Sequence, residues 1–490
     1  MHSFELIHNA MVVTLRESFF LALFYLGHGI PKLALATFFA VLPILKGDVV
    51  MSDTLIGDMR SLMSILYACG SLVSGPGSDA YGPRGIWSAV VAITALCAIA
   101  VSVANSDSIT QVVMCMSVQR FCQGFTFTLM VATLPAYFQG SKFTTALSIV
   151  STSSRIFAML AGYLASAFLG SPGGWRKALQ ICAAACIIEA FFLFVFLAPV
   201  RKKQDTVDES KLITTAGKAV TNFDKNCIAG AEADDANSDV SSHSKPDKSY
   251  HQPRLTEVLY VVFSSPRMLL WLLFLTLIFP NFSLEEVFPL YFVAQGMPAQ
   301  DAARVSAGFP AGMAVVLPLA GLLSDRFPKL ASGLFPLGVF LSAILILLLS
   351  KLDVNTSSWT ETIYMQTIIA QALLFVIGFC LAPAVYLPPF EFANTYGGEH
   401  NKGLIVSFLE TAGLLGEALF NFVLPSLVSL VGWRGVLVCD AGILVVASLV
   451  FSYLQWWEAV DPVRALVVGG SGEGLPGPSE KEPLISGKKK

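Results

Sequence analysis

Apolar residues recur in long blocks rather than in alternation. Twelve mainly apolar stretches, each about the 20 residues that cross a hydrocarbon core, fall at 19–45, 55–77, 86–105, 111–137, 145–169 and 176–199, and again at 267–293, 302–323, 331–350, 362–389, 403–429 and 434–457. Each predicts a helix, because a chain crossing lipid must satisfy its own backbone. Between the two sets lies a polar segment rich in Lys, Asp, Ser and Ala, without apolar periodicity, which predicts a disordered linker. Residues 255–264 read as a short interfacial helix leading into the seventh span. The pattern predicts an all-α membrane protein: an N-terminus 1–18, a six-helix bundle 19–199, a linker 200–255, a second six-helix bundle 256–457 and a tail 458–490.

Composition agrees with that pattern. Hydrophobic residues make up 54% of the chain and charged residues 13%, against roughly 25% charged in soluble domains. A net charge of −3 gives no basic field for nucleic acid. Of nine cysteines, eight (Cys69, Cys97, Cys115, Cys122, Cys182, Cys186, Cys380, Cys439) lie in apolar stretches and read as small buried hydrophobes, with Cys227 in the linker. No spacing fits a metal, and no metal or cofactor is expected. The first apolar run is too long for a cleaved signal peptide. Basic residues favour the side on which both termini would be cytosolic. That topology places Asn355 of Asn355-Thr356-Ser357 outside, as a glycosylation acceptor, whereas Asn281-Phe282-Ser283 sits inside a span and should be silent.

The two sets of spans repeat one another. Gly75, Asp79, Gly82 and Arg84 form a charged turn after span 2, and Gly321, Asp325, Arg326 and Lys329 form one after span 8; Asp79 and Asp325 are 246 residues apart. Gly124, Pro135 and Phe138 recur as Gly378, Pro389 and Phe392 at a constant offset of 254. Gly174-Trp175-Arg176 and Gly432-Trp433-Arg434 open spans 6 and 12, where a Trp-Arg pair also serves as an interfacial anchor. Duplicated bundles of this kind belong to transporters.

With these motifs the chain resembles the major facilitator superfamily, whose signature between spans 2 and 3 is Gly-x-x-x-Asp-(Arg/Lys)-x-Gly-x-(Arg/Lys). Ala80 departs from it in the first copy, and Pro328 stands near the second glycine's place in the other. The resemblance implies a twelve-span secondary transporter. Within the superfamily the chain is loosely similar to the organic-phosphate and sugar-phosphate exchangers, through Lys32 in span 1, Arg120-Phe121-Cys122-Gln123-Gly124 in span 4 and the Gly-Trp openings. Those exchangers pair the span 1 cation with an arginine in span 7, where this chain instead carries Glu285 and Glu286.

Ionisable groups at membrane depth are costly and normally face a cavity or a partner. The resemblance makes spans 1, 4, 7 and 10 the path, which favours His28, Lys32, Arg120, Glu285 and Glu286 as the substrate site. Lys32 reads as an anion-binding cation, or as the helix-helix partner of an acid such as Glu417. Glu285 and Glu286 are about 100° apart on a helix, so at most one is expected to look straight into the path. One of them, with His28, would carry protons. Arg155 is expected to form an intramembrane ion pair with Glu417, or with Glu410, its closer repeat match. Glu189 and Asp440 are expected to be packing partners. Gly75, Asp79, Gly82, Arg84, Gly321, Asp325 and Arg326 are read as a gate, each aspartate meeting an arginine or a helix amino end when the cytosolic side shuts.

The tail contains Glu480, Leu484 and Ile485 in the order of an acidic dileucine signal, read by sorting adaptors on endosomal, lysosomal or vacuolar routes; the plasma membrane is the alternative. Changing Leu484 and Ile485 to Ala should then move the protein to the cell surface, and an unmoved protein would remove the sorting reading. The functional expectation is alternating-access transport of a small organic anion, a sugar phosphate or carboxylate, with proton coupling. An amino acid or short peptide is the alternative cargo, and a non-transporting receptor or scaffold the alternative class. No enzymatic constellation is present.

Overall fold

A computed structural model describes residues 15–105, 108–134, 137–138, 141–197, 265–352 and 361–460. The linker 200–255, the segment 255–264, Cys227, Asn355, most of 1–18 and the tail with Glu480, Leu484 and Ile485 lie outside the described residues. So do the surroundings of Gly75 and the side chains of Asp79 and Asp325, although the backbone there is helical.

The described residues form thirteen helices: α1 (Leu15–Asp48), α2 (Asp53–Tyr81), α3 (Pro83–Ser102), α4 (Ile109–Thr133), α5 (Ser141–Leu169), α6 (Gly174–Phe196), α7 (Pro266–Ile278), α8 (Pro280–Ala294), α9 (Ala299–Ser306), α10 (Gly308–Arg326), α11 (Pro328–Lys351), α12 (Glu361–Tyr386) and α13 (Pro388–Val460). They make twelve passes. α7 and α8 are two halves of one pass, broken at Phe279, where Pro280 has no N–H to continue the ladder. α9 and α10 share the next pass, joined at Ala307.

α13 makes two passes. At about 1.5 Å per residue, a straight helix would hold Phe392 and Phe451 roughly 90 Å apart. Their rings instead lie 5.6 and 5.8 Å from the ring of Trp271. The chain therefore doubles back between them, and Gly432, at φ 68°, supplies the left-handed residue such a reversal needs.

Nine helical stretches among the described residues are long and apolar enough to cross a membrane, one of them covering both arms of α13. α2 and α4 fall short because they carry Arg60, Ser64, Gln119, Arg120 and Gln123, all turned inward. The outside is apolar instead, with Phe191, Leu322 and Leu419 among many exposed hydrophobic side chains. Such a surface suits lipid rather than water.

Packing repeats between the halves. α1 packs on α5, α2 on α4, α3 on α6 and α3 on α4; in the same arrangement α7 packs on α13, α10 on α12, α11 on α13 and α11 on α12. Close approach at glycine sets two of these pairs. Gly70 and Gly124 each face a backbone carbonyl across α2–α4, those of Phe121 and Tyr67; Gly312 and Gly378 do the same across α10–α12, against Phe375 and Phe309. Any side chain there would force the helices apart. The halves meet mainly through α2 with α13 and α5 with α10.

The end at which α1 stops and α2 starts, termed the distal end, is packed shut. Gly57 of α2 abuts Pro425 and the Asn421 carbonyl of α13, and Gly162 of α5 abuts Ala303 and Ala307. Leu290 of α8 packs into a core cluster built largely from α1, α2 and α4.

The repeated charged turns are shorter than the sequence implied. α2 stays helical to Tyr81 and α10 to Arg326; only Gly82 (φ 78°) and Phe327 (φ −137°) separate them from the next helices, which begin at Pro83 and Pro328. Proline is suited to a first helical turn, where its missing N–H costs nothing. Arg84 Nε donates to the Phe194 carbonyl at 2.5 Å and its guanidinium lies over the Phe194 ring, tying α3 to the end of α6. Arg326 is exposed, and Gly321 faces Ser148 of α5 across the two halves.

The Trp-Arg opening of α6 is an anchor. Trp175 Nε1 donates to Asp48 at 2.8 Å, and Arg176 donates to the Ala104 carbonyl at 2.9 Å while stacking on Trp175. Glu189 and Asp440 are buried. Glu189 Oε1 and both oxygens of Asp440 have no hydrogen-bond partner among the described residues.

Candidate functional site

A cavity of about 150 Å³ lies between the halves, lined from α1, α2, α4, α5, α7, α8, α12 and the first arm of α13. His28, Lys32, Arg120, Glu285 and Glu286 all line it, so the five residues expected at a substrate site converge. Tyr67, Arg155, Tyr386, Glu410 and Glu417 join them. Glu285 and Glu286 both face the cavity. The expectation that only one could do so fails because the cavity wraps around α8: Glu285 turns toward α5, and Glu286 toward α1, α2 and α4.

Burying an isolated charge costs several kcal/mol, of order, even after relaxation, and the local pairings follow from that cost. Glu286 is the hub. Its carboxylate lies 3.2 Å from Arg120 Nη2, 3.6 Å from Arg60 Nη2 and 3.8 Å from Lys32 Nζ. Arg120 Nη2 also reaches Glu417 Oε1 at 3.1 Å, while its Nη1 donates to Gln123 at 3.0 Å. Ser64 donates to the same Glu417 oxygen at 2.9 Å. Arg60 Nη2 donates to the Ser283 carbonyl at 2.6 Å and hydroxyl at 2.9 Å, and Ser283 in turn donates to Asn421.

Arg155 makes a second centre. Its Nη1 lies 2.6 Å from Glu285 Oε2, and it donates to the Tyr386 hydroxyl through Nε, at 2.9 Å, and through Nη2. It lies over the rings of Phe282 and Tyr386. The expected Arg155–Glu417 pair is therefore not formed. Arg155 sits on α5, facing α8 and α12, whereas Glu417 sits on the face of α13 that packs against α2 and reaches α4. The alternative pairings of Arg155 with Glu410 and of Lys32 with Glu417 are not formed either; Lys32 takes Glu286.

Seven of these charged side chains are no more than 11% exposed. Glu410 differs. It is partly exposed, has no cation within 4 Å among the described residues, and accepts from Tyr67 at 3.0 Å and Ser71 at 2.7 Å. His28 is buried beside Phe127, and its Nδ1 has no partner among the described residues.

Arg60 escaped the sequence reading because it lies five residues into its span, where a basic residue looks interfacial. The neighbouring Ser64, Tyr67 and Ser71 were a usable signal, since they continue one polar helical stripe at i, i+4, i+7 and i+11. Tyr386 carried no signal beyond its place near Pro389.

Two membrane-embedded bundles of like packing, with a sealed end and a charged cavity between them, define the architecture of a two-fold repeated carrier. The family model "Major Facilitator Superfamily" matches residues 21–395, and the chain belongs to that superfamily of membrane transporters. A solved structure titled "Crystal structure of D-xylose-proton symporter" is similar over 88% of this chain and 96% of its own, with TM-score 0.62 and 14% identity, a likeness that speaks for the fold. No curated protein matches the chain.

Proposed function

We propose that the protein carries a small organic anion, a sugar phosphate or carboxylate, across its membrane by alternating access with protons. The observation that supports this reading is the convergence of Lys32, Arg120 and Arg155 on one cavity with His28. Lys32 is the cation most available to a ligand. Its nearest carboxylate is 3.8 Å away, and an ammonium has three donors to offer. Arg120 and Arg155 line the same cavity. Phe127, Phe279 and Phe282 supply apolar walls for the rest of the solute. Closing one end and opening the other would be the rocking of the halves about the α2–α13 and α5–α10 contacts.

The proton role expected of Glu285 or Glu286 with His28 is not retained, since both carboxylates already serve buried cations. A zwitterionic amino acid is the second reading, and Glu410 favours it: a cavity carboxylate without a cation could hold an ammonium. Purified protein in liposomes, offered labelled glucose 6-phosphate, gluconate, lactate, glucose and amino acids, separates the readings. Uptake of the phosphate or carboxylates alone supports the anion reading, and uptake of amino acids alone supports the second. Uptake of glucose alone, or of nothing by a folded protein, refutes both.

A further inference from the structure

We infer that Glu410 is the proton-carrying residue of this site, and that one proton on Glu410 accompanies each monoanion bound. This deepens the anion-transport reading and rests on it.

The assignment follows from what each carboxylate touches. Glu285, Glu286 and Glu417 are met by arginine or lysine within 4 Å. A guanidinium has donors and no acceptor, so a protonated carboxyl facing it would turn O–H toward N–H. Those three acids thus face donors that suit a carboxylate. Glu410 is met by the hydroxyls of Tyr67 and Ser71. A hydroxyl donates to a carboxylate and, by rotating, accepts from a carboxylic acid. The same pocket thus satisfies both protonation states without moving a helix. Ser71 has a further hydroxyl neighbour, Thr128, at 3.4 Å, which allows that reorientation.

The other charged and titratable groups around Glu410 stand further off. Besides Tyr67 from α2, Arg120 from α4 and Tyr386 from α12 face it. Glu417 is two turns further along its own helix. Across the cavity stand Glu285 and Glu286 of α8 and Arg155 of α5. Glu410 is also partly exposed to the cavity, so water can deliver the proton. The step is a simple transfer: an O–H bond forms on Glu410 as one breaks in a hydronium ion, and the reverse occurs on release.

Charge balance couples this proton to the cargo. Lys32, Arg60, Arg120 and Arg155 are matched in number by Glu285, Glu286, Glu410 and Glu417. With Glu410 ionised the cluster is balanced, and a bound anion would leave an excess negative charge at membrane depth, which is costly. With Glu410 protonated the cluster has one positive charge to spare, which a monoanion neutralises. Anion and proton therefore enter and leave together.

Infrared difference spectroscopy of the full chain in lipid, between alkaline and acid pH, reads the proton directly and needs no cargo. Glu189 and Asp440 contribute carboxyl signals of their own, so the variants are compared. Wild type, E285Q and E417Q should share a rising buried-carboxyl band that E410Q lacks and E410D restores at a shifted position. A band unchanged in E410Q, or lost instead in E285Q or E417Q, overturns the assignment. In liposomes, gluconate entering wild type down its own gradient should carry about one proton each into the lumen, and gluconate entering E410Q none. Gluconate entry without protons in wild type, or with protons in E410Q, also overturns it. Loss of all anion uptake in wild type, with the infrared band still assigned to Glu410, would sink the transport reading while leaving the proton site standing.

Discussion

Replacing Glu286 with Gln removes the hub of the charged cluster without changing its shape. Three cations meet this carboxylate, yet they do not lose equally. Arg120 keeps Glu417 at 3.1 Å and Gln123 at 3.0 Å, and Arg60 keeps both oxygens of Ser283. Lys32 has no other carboxylate within 4 Å among the described residues. Breaking a buried pair costs about 3–5 kcal/mol, mostly through the charge left unpaired. With two of the three cations still satisfied, E286Q should lie at the lower end, about 3 kcal/mol. K32M removes the stranded charge and leaves Glu286 two arginines, so it should cost about 1 kcal/mol. The double variant should be more stable than the sum of the two predicts, by roughly 0.5–3 kcal/mol, the range found for residues in direct contact. Denaturant titration of the purified protein in detergent micelles measures all three. Strict additivity, or an E286Q protein as stable as wild type, would show that the cluster is not a charge hub.

Two further substitutions probe the closed end and an unused acid. Gly162→Leu drives a side chain into the Ala303 carbonyl and Ala307. Overpacking of about 1–3 kcal/mol should shift the halves toward opening at the distal end, seen as faster labelling of a cysteine introduced at Ser306 by a membrane-impermeant thiol reagent; unchanged labelling refutes the gate. Asp440→Val replaces a fully buried carboxylate that has no hydrogen-bond partner among the described residues. It should stabilise the protein by about 1–3 kcal/mol, and a lower unfolding temperature would contradict that placement.

Much of the architecture was legible in the sequence because lipid allows so few solutions. Twelve apolar blocks in two sets, with Gly124 and Gly378 repeating at a fixed offset, left little choice but paired helical bundles. The residues of the cavity were legible for the same reason: a charge inside an apolar block stands out. Their pairing was not. Arg155 and Glu417 share mid-span depth and corresponding helices, but depth does not say which way a side chain turns. Packing against α8 and α12 gives Arg155 to Glu285, and the α2–α13 contact brings Glu417 to Arg120. The unequal passes were legible only in part. The reversal at Gly432 falls between the apolar blocks 403–429 and 434–457, whereas hydropathy does not mark the break at Phe279, which lies inside the block 267–293.

The central claim is that Lys32 and its neighbours form an anion site, and anion exchange tests it most directly. Proteoliposomes loaded with unlabelled gluconate or glucose 6-phosphate, bearing wild type or Lys32→Gln, are offered the same labelled anion or labelled glucose. A charge-assisted hydrogen bond is worth about 1.5–3 kcal/mol, so K32Q should raise the KM for the exchanged anion roughly 10- to 100-fold, with neither protein exchanging glucose. An unchanged KM for the anion in K32Q, or exchange of glucose as readily as of the anion, would contradict the account.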